Sequence, residues 1–497
     1  MKENETKKNI ASSVILQITT IISGFIIPHV ILSLFGSSVN GFVSSVNQFL
    51  NYIQLIEGGI GGVVMASLYG PLRQNDESKI SGIINAASSF FKKIGIIYIA
   101  YLVILSLSYP LLIETGFNYI YSVALIVVLG ANLIVQYFFS ITYKLLLNAD
   151  RKVYIVSTTQ AIIVILNVVL ILGCSVWFKD ILFIKLISAA VFLIQPFVFS
   201  AYVRKHYNLN KSVKADKNAL SQRWVAFGTN FAYFVHTNTD IIMLTVLSSL
   251  ANVSVYSVYL LIVNALKGLI VSISSAIVPS FGKAFVSGSK RELLNTFDKY
   301  EFVICIVSFI LFSCGAILIV PFVMLYTKGI NDANYNQPIF ATLLVLAEFF
   351  YCIRDPYVQA TSAAGMFGAM APYAYIEATM NIVLSIILIK NHGIIGVAIG
   401  TIVAMIFRMI AQIIIVNKSV LGKSSVLSYF KVFILTIFLV TVYFLADFFV
   451  PKTINHFSTW IIYACIVLVM CVVVAIIICR LLYWKTFVSI VKENSKE

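Results

Sequence analysis

The sequence predicts an all-α polytopic membrane protein with about 14 transmembrane helices, built as two homologous six-helix lobes plus two C-terminal helices. Three observations lead to this prediction. Hydrophobic residues make up 60% of the 497 residues and charged residues 11%, a composition that no soluble surface could carry. Apolar stretches of about 20 residues, each long enough to cross a bilayer, recur along the whole chain. The basic residues gather on one side of the topology that these stretches define.

The apolar stretches follow one another with short polar segments between them. This spacing excludes a soluble enzyme, a disordered chain and a single-span receptor with a large external domain. The stretches lie near residues 9–34, 42–69, 94–113, 120–141, 153–177, 181–203, 225–249, 253–277, 301–326, 338–360, 371–390, 393–416, 431–450 and 459–479.

The formal net charge of +15 reflects how the protein is oriented in the membrane. If the N-terminus is inside, most of the 35 lysines and arginines fall in inner segments. Such an asymmetry is the positive-inside rule, and it predicts that both termini are cytoplasmic. We therefore expect no nucleic-acid partner, whereas a basic inner face suits anionic membrane lipids. The outer loops carry only Lys179, Lys328, Lys390 and Lys452.

The longest polar stretch, residues 204–223, divides the chain into parts with six and eight spans. An offset of about 212–214 residues places SLYG (67–70) over PSFG (279–282) and NVVLIL (167–172) over NIVLSI (381–386), a repeat typical of transporters. We predict a six-helix lobe over 1–203, a cytoplasmic basic linker over 204–223 and a second lobe over 224–416. Residues 417–497 would form two extra transmembrane helices and a cytoplasmic tail.

The second span carries a polar stripe that includes Asn51 and Gln54, next to the glycine-rich segment EGGIGG (57–62). Polar groups within a span are costly and usually face a cavity or a partner. The stripe therefore predicts a helix that lines water and can bend. The alternative is close helix packing through the small residues.

Four charged residues lie at a similar depth in four spans: Glu57, Lys267, Arg354 and Arg408. We interpret the three cations as contacts for an anion in a cavity. Two alternatives stay open. Long side chains can extend to the interface, and the charges can pair internally with Glu348, Asp355 or Glu377.

The seventh span places Thr229, Tyr233, His236 and Asp240 on one face. A buried carboxylate within a span is a candidate cation or proton site. The alternative is a hydrogen-bonded pair between two helices.

The sequence holds no G-x-x-x-x-G-K-[ST] motif, so we expect no ATPase activity. Its five histidines are scattered, and its seven cysteines have no metal-ligand spacing. We therefore expect neither an enzyme nor a bound cofactor or metal.

The segments KLLLNADRKVY (144–154) and GIIGVAIGTIVAMIFR (393–408), together with the two-lobe span pattern, resemble the bacterial polysaccharide repeat-unit flippases of the multidrug/oligosaccharidyl-lipid/polysaccharide (MOP) exporter superfamily. The resemblance covers nearly the whole chain. It implies alternating-access export of an undecaprenyl-diphosphate-linked oligosaccharide across a bacterial cytoplasmic membrane. The product would be capsule, O-antigen-like polysaccharide or exopolysaccharide. A polysaccharide polymerase and glycosyltransferases would be the partners.

The resemblance also implies a basic central cavity, for which Lys267, Arg408 and Arg354 are the candidates. Asn51 and Gln54 are candidate substrate contacts on the polar stripe. The candidates for cation coupling are Asp240, Glu57 and Glu377.

Two rival functions stay open. A cation-coupled multidrug antiporter of the same fold would depend on acidic residues. A membrane-embedded glycan polymerase or transferase is disfavoured by the short outer loops.

Overall fold

All regular secondary structure is helical in the computed structural model, which describes residues 2–57, 59–216, 238–286, 288–446 and 454–494. Ten helices in these residues are long and apolar enough to cross a membrane. Two of them each contain parts of two predicted spans. In each, a single glycine with non-helical backbone angles, Gly36 or Gly393, kinks an otherwise continuous helical segment. The predicted fold class, an all-helical multi-pass membrane protein with about 14 helices, is confirmed.

The chain forms two compact units, Met1–Ser254 and Val255–Glu497. The lobe and linker boundaries drawn from the sequence stay predictions. Thr229, Tyr233, His236 and the end of the basic linker lie outside the described residues.

The first unit is formed by helices that follow the predicted order of spans. They are α1 (Lys2–Asn51), α2 (Gln54–Glu57), α3 (Ile60–Gln74), α4 (Glu77–Leu112), α5 (Tyr119–Ala149), α6 (Val153–Trp177), α7 (Ile181–His206) and α8 (Asn238–Leu247).

The second unit contains the remaining helices, the first of which begins in the last residues of the first unit. They are α9 (Leu250–Val286), α10 (Lys290–Tyr326), α11 (Pro338–Ile353), α12 (Asp355–Ala363), α13 (Phe367–Val416), α14 (Val426–Ala446), α15 (Phe457–Leu482) and α16 (Trp484–Asn494).

The outer faces of these helices are apolar. Ile104, Ile120 and Val469 are 66%, 80% and 64% exposed, and the buried core of each unit is also hydrophobic. A helix that is apolar on both its packed and its exposed face has lipid as its solvent. The exposure pattern therefore agrees with a protein that spans a bilayer.

The α13 segment is a helical hairpin that turns at Gly393, where φ is +53°, a conformation that favours glycine. Residues on the two arms of the hairpin meet across it. Asn381 Nδ2 donates to Thr401 Oγ1 (3.0 Å), and Gly396 lies against the backbone of Leu388. Side chains on the two arms at comparable distances from the turn therefore lie at a similar depth.

The start of the basic linker is bound to the first unit. Asn85 Nδ2 donates to the carbonyl oxygens of Asn210 (3.1 Å) and Val213 (3.0 Å), and the Asp216 amide donates to the Gly82 carbonyl (3.0 Å). Tyr207 donates to Asp150 (2.5 Å). Burial and this hydrogen bond raise the pKa of the Tyr207 hydroxyl. Residues 207–216 are thus an ordered part of the unit.

Replacing Gly396 by alanine should lower the melting temperature of the purified protein. The added Cβ would lie 2.6 Å from backbone atoms of Leu388, and overpacking of this kind costs about 1–3 kcal/mol. Thermal unfolding in detergent measures the loss. Gly368→Ala is the matched control on the same segment, because its Cβ would meet no described atom within 4 Å. Equal losses in the two variants would contradict the hairpin packing.

Candidate functional site

The predicted tenth span is broken at Arg354, which separates α11 from α12. Pro356 lies in the first turn of α12 and has no amide hydrogen to continue the helical ladder. The Tyr357 amide donates to the Arg354 carbonyl (3.0 Å), so the second helix starts from the arginine itself. Arg354 is only 8% exposed. A buried arginine is therefore held at a helix joint within the span.

Arg354 and Arg408 share one carboxylate. Arg354 Nη1 lies 3.5 Å from Glu377 Oε1, and Arg408 Nε lies 3.5 Å from Glu377 Oε2. Arg408 Nη1 also donates to the carbonyl oxygen of Met370 (2.9 Å). Glu377 and Arg408 meet because they are about equally far from the turn at Gly393 on the two arms of α13.

Lys267 is linked to this arrangement through an aromatic ring. Its Nζ lies 3.0 Å from Glu348 Oε2 and 4.6 Å from the centre of the Tyr351 ring. The Arg354 guanidinium lies 5.2 Å from the centre of the same ring. A cation is attracted to the face of an aromatic ring at this range. Tyr351 thus joins the two ion-paired groups.

We call this group the basic cluster. It comprises three cations, two carboxylates and one tyrosine, which come from α9, α11, α13 and the joint between α11 and α12. Its members are Lys267, Glu348, Tyr351, Arg354, Glu377 and Arg408.

The structure thus brings together four sequence-predicted residues, Lys267, Arg354, Arg408 and Glu377, with each cation on a carboxylate. Internal pairing was one of the alternatives that the sequence left open, and it describes this state of the protein. Asp355, another candidate partner, instead accepts hydrogen bonds from Ser274 (2.5 Å) and Tyr300 (2.7 Å). The assignment of the cations to substrate binding stays a prediction.

The other predicted residues lie in the first unit. Gln54 Nε2 donates to Asn51 Oδ1 (3.2 Å), where α1 gives way to the short α2. Glu57 ends α2 and accepts a hydrogen bond from Tyr137 (3.3 Å), while Lys144 attracts the same carboxylate. Asn51, Gln54 and Glu57 therefore lie close together along the interrupted second span, and their predicted roles stay predictions.

Asp240 is buried near the start of α8, where it is 7% exposed. The preceding Thr239 is hydrogen-bonded to Tyr52, and the Asp240 carboxylate interacts electrostatically with the same tyrosine. Gln48, four residues before Tyr52, donates a hydrogen bond to Asn238, two residues before Asp240. Asp240 thus belongs to a polar contact between α8 and the end of α1, which agrees with the interhelical alternative and leaves cation coupling untested.

Sequence reasoning missed Tyr137. This residue lies in a π-helical turn, Gln136–Ser140, inside α5. A π turn inserts one residue into the helix and rotates the side chains that follow, and such turns are frequent at functional sites. No residue type marks the insertion, so periodicity could not have placed Tyr137 against Glu57.

A second missed feature is a buried ion pair between α10 and α14. Lys431 Nζ donates to Glu301, which also accepts a hydrogen bond from Tyr357. The Lys431 ammonium lies 4.6 Å from the centre of the Tyr483 ring. Glu301 is 2% and Lys431 9% exposed. The pair attaches the first of the two extra helices to the rest of the second unit.

Comparison with known proteins gives matches of structure alone. No protein-family model and no curated protein matches the sequence. The structure of the lipid II flippase MurJ in an inward closed conformation superposes with a TM-score of 0.70, covering 96% of this chain and 100% of MurJ at 16% identity.

The MATE multidrug transporter DinF-BH superposes with a TM-score of 0.63 at 13% identity, covering 83% of this chain and 95% of its own. The eukaryotic MATE transporter AtDTX14 superposes with a TM-score of 0.57 at 14% identity, and the match covers 83% of this chain and 95% of AtDTX14. The chain has the MurJ and MATE fold. At 13–16% identity the similarity is one of fold.

Replacing Lys431 by methionine should destabilise the protein strongly. The substitution leaves the Glu301 carboxylate buried without its cation, and breaking one side of a buried ion pair costs about 3–5 kcal/mol. Thermal unfolding of the purified protein measures the loss.

Lys423→Met is the matched control, because the ion pair of Lys423 with Asp298 is more exposed (3.1 Å; Asp298 43% exposed). Its loss should stay below about 1 kcal/mol. The double variant Glu301→Gln/Lys431→Met should regain part of the stability. A loss no larger in Lys431→Met than in Lys423→Met would refute the structural role of the pair.

Proposed function

We propose that this protein is a flippase that moves an undecaprenyl-diphosphate-linked oligosaccharide repeat unit from the inner to the outer leaflet of a bacterial cytoplasmic membrane. The observation that carries the proposal is the basic cluster, in which three membrane-embedded cations share two carboxylates within a transporter fold. Export would serve surface polysaccharide assembly, with glycosyltransferases before it and a polymerase after it. Both termini would be cytoplasmic.

The chemistry of a diphosphate explains the need for such a cluster. A bare anion in hydrocarbon is prohibitively costly, so the headgroup must exchange its hydration shell for protein groups. Guanidinium groups are suited to this exchange, since they donate parallel hydrogen bonds to phosphate oxygens. In our proposal Arg354 and Arg408 bind the diphosphate and Lys267 adds a third positive charge.

The remaining predicted residues have roles in this scheme. Asn51 and Gln54 would contact sugar hydroxyl groups, and Glu57, Asp240 and Glu377 would be the groups through which a cation could be coupled. Outward movement of a negative headgroup is also favoured by an inside-negative potential, by about 2.3 kcal/mol per charge per 100 mV. Prenyl chains would stay in lipid while the headgroup crosses by alternating access.

A cation-coupled multidrug antiporter is the second candidate. The partly buried Glu57 and the buried Asp240 favour it, as does the structural similarity to DinF-BH. A glycan polymerase or transferase is less well supported, because the similar structures are transporters.

Depletion of the protein in its native cell separates these functions. A flippase should leave complete lipid-linked repeat units at the inner face, where a sugar-binding probe that cannot cross the membrane fails to reach them. Units exposed outside but unpolymerised would indicate a polymerase. Unchanged lipid intermediates would indicate the drug antiporter.

Replacing Arg408 by glutamine should slow flipping by about 10- to 100-fold, because a hydrogen bond to a charged group contributes about 1.5–3 kcal/mol. The initial rate is measured in proteoliposomes with a fluorescent undecaprenyl-diphosphate oligosaccharide. Arg291→Gln, an exposed arginine in the first turn of α10, is the control and should transport at the unmodified rate. Unchanged transport by Arg408→Gln at equal protein levels would remove Arg408 from the substrate site.

A further inference from the structure

Glu377 holds its two arginines loosely. Both nitrogen–oxygen distances are 3.5 Å, whereas charge-assisted hydrogen bonds are typically about 2.7–2.9 Å long. The carboxylate thus lies between two guanidinium groups without the short bidentate contact that either could make alone. The carboxylate therefore attracts both arginines but forms a short hydrogen bond with neither.

Arg354 has donors to spare. It is 8% exposed, yet its Nε and Nη1 donate no hydrogen bond to any residue that the structure describes. Buried donors without acceptors are costly, which makes this guanidinium ready to bind an anion with more oxygens than one carboxylate has.

The charges of the cluster also do not balance. Glu348 neutralises Lys267, so Glu377 is left to neutralise Arg354 and Arg408 together. A diphosphate brings two or more negative charges and several acceptor oxygens to the same position. It would therefore bind the two arginines more strongly than a single carboxylate does. The diphosphate and the carboxylate could not occupy the position together.

We propose that Glu377 is a displaceable internal anion. In the substrate-free protein its carboxylate holds Arg354 and Arg408, the diphosphate of the lipid-linked substrate displaces it, and its return helps to release the product. This inference rests on the proposed function and adds a competitor to the same site.

The hairpin geometry makes the competition local. Glu377 and Arg408 lie on the two arms of α13, at similar distances from the turn at Gly393, so the carboxylate stays beside the arginines after displacement. Its effective concentration at the site is then high, and a bound phosphate group always has a competitor nearby. Removal of the negative charge should tighten binding and slow release.

The experiment compares Glu377→Gln with the unmodified full chain in lipid nanodiscs. Binding is measured with undecaprenyl diphosphate and with undecaprenol, which has no phosphate, and flipping is measured in proteoliposomes. Glu377→Gln should bind the diphosphate about 10-fold more tightly, within the usual range of coupling between two ligands. Its KM for flipping should fall, and its kcat should fall as well.

Asp298→Asn is the matched control, since it removes one carboxylate from the second unit at an ion pair outside the basic cluster. It should bind and flip like the unmodified protein. Glu377→Asp keeps the charge on a shorter side chain and provides a second test if Glu377→Gln does not fold. We expect its affinity for the diphosphate to exceed that of the unmodified protein, because the shortened carboxylate reaches the arginines less well.

Two failures are distinguishable. If Arg408→Gln weakens diphosphate binding while neither Glu377 variant strengthens it, Glu377 is a structural partner and the inference is overturned, although the proposed function stands. If the unmodified protein binds undecaprenyl diphosphate no better than undecaprenol, the proposed function itself fails.

Discussion

An unpaired charge inside hydrocarbon is too costly to persist, and the second unit is organised around this constraint. Four cations within it, each buried or partly buried, have a carboxylate from another helix or from the other arm of α13: Lys267 has Glu348, Arg354 and Arg408 share Glu377, and Lys431 has Glu301. These pairs connect α9, α10, α11, α13 and α14. The charges that give the site its chemistry are therefore also contacts that hold its helices together.

Interruptions of helical geometry place these charges. The turn at Gly393 puts Glu377 and Arg408 at one depth, and the break before Pro356 puts Arg354 between two helix ends. In the first unit, Tyr137 lies in a π turn and donates a hydrogen bond to Glu57. Discontinuous helices within a membrane are typical of transporters, because irregular backbone there is tolerated only inside protein or beside water.

The sequence alone predicted the spans and the fold class, because apolar length and basic asymmetry are local properties of the chain. It also identified Lys267, Arg354, Arg408 and Glu377 as intramembrane charges of similar depth. It offered Glu348, Asp355 and Glu377 as possible partners of the cations but could not choose among them, since depth does not determine which helix faces which. Glu301 and Lys431 lie in spans far apart along the chain, so no spacing rule relates them. Periodicity also could not predict that Tyr351 contacts two of the cations, because nothing in the sequence distinguishes its ring from the other aromatic side chains of the spans.

The pair between Glu301 and Lys431 has a consequence for biosynthesis. The sixth residue of α14 is a lysine, and a charge within a span adds to the cost of inserting it. Its partner α10 comes earlier in the chain, so Glu301 has already been synthesised when α14 leaves the ribosome. The order of synthesis thus supplies the acid before the base, so that a partner for the lysine exists before α14 is made.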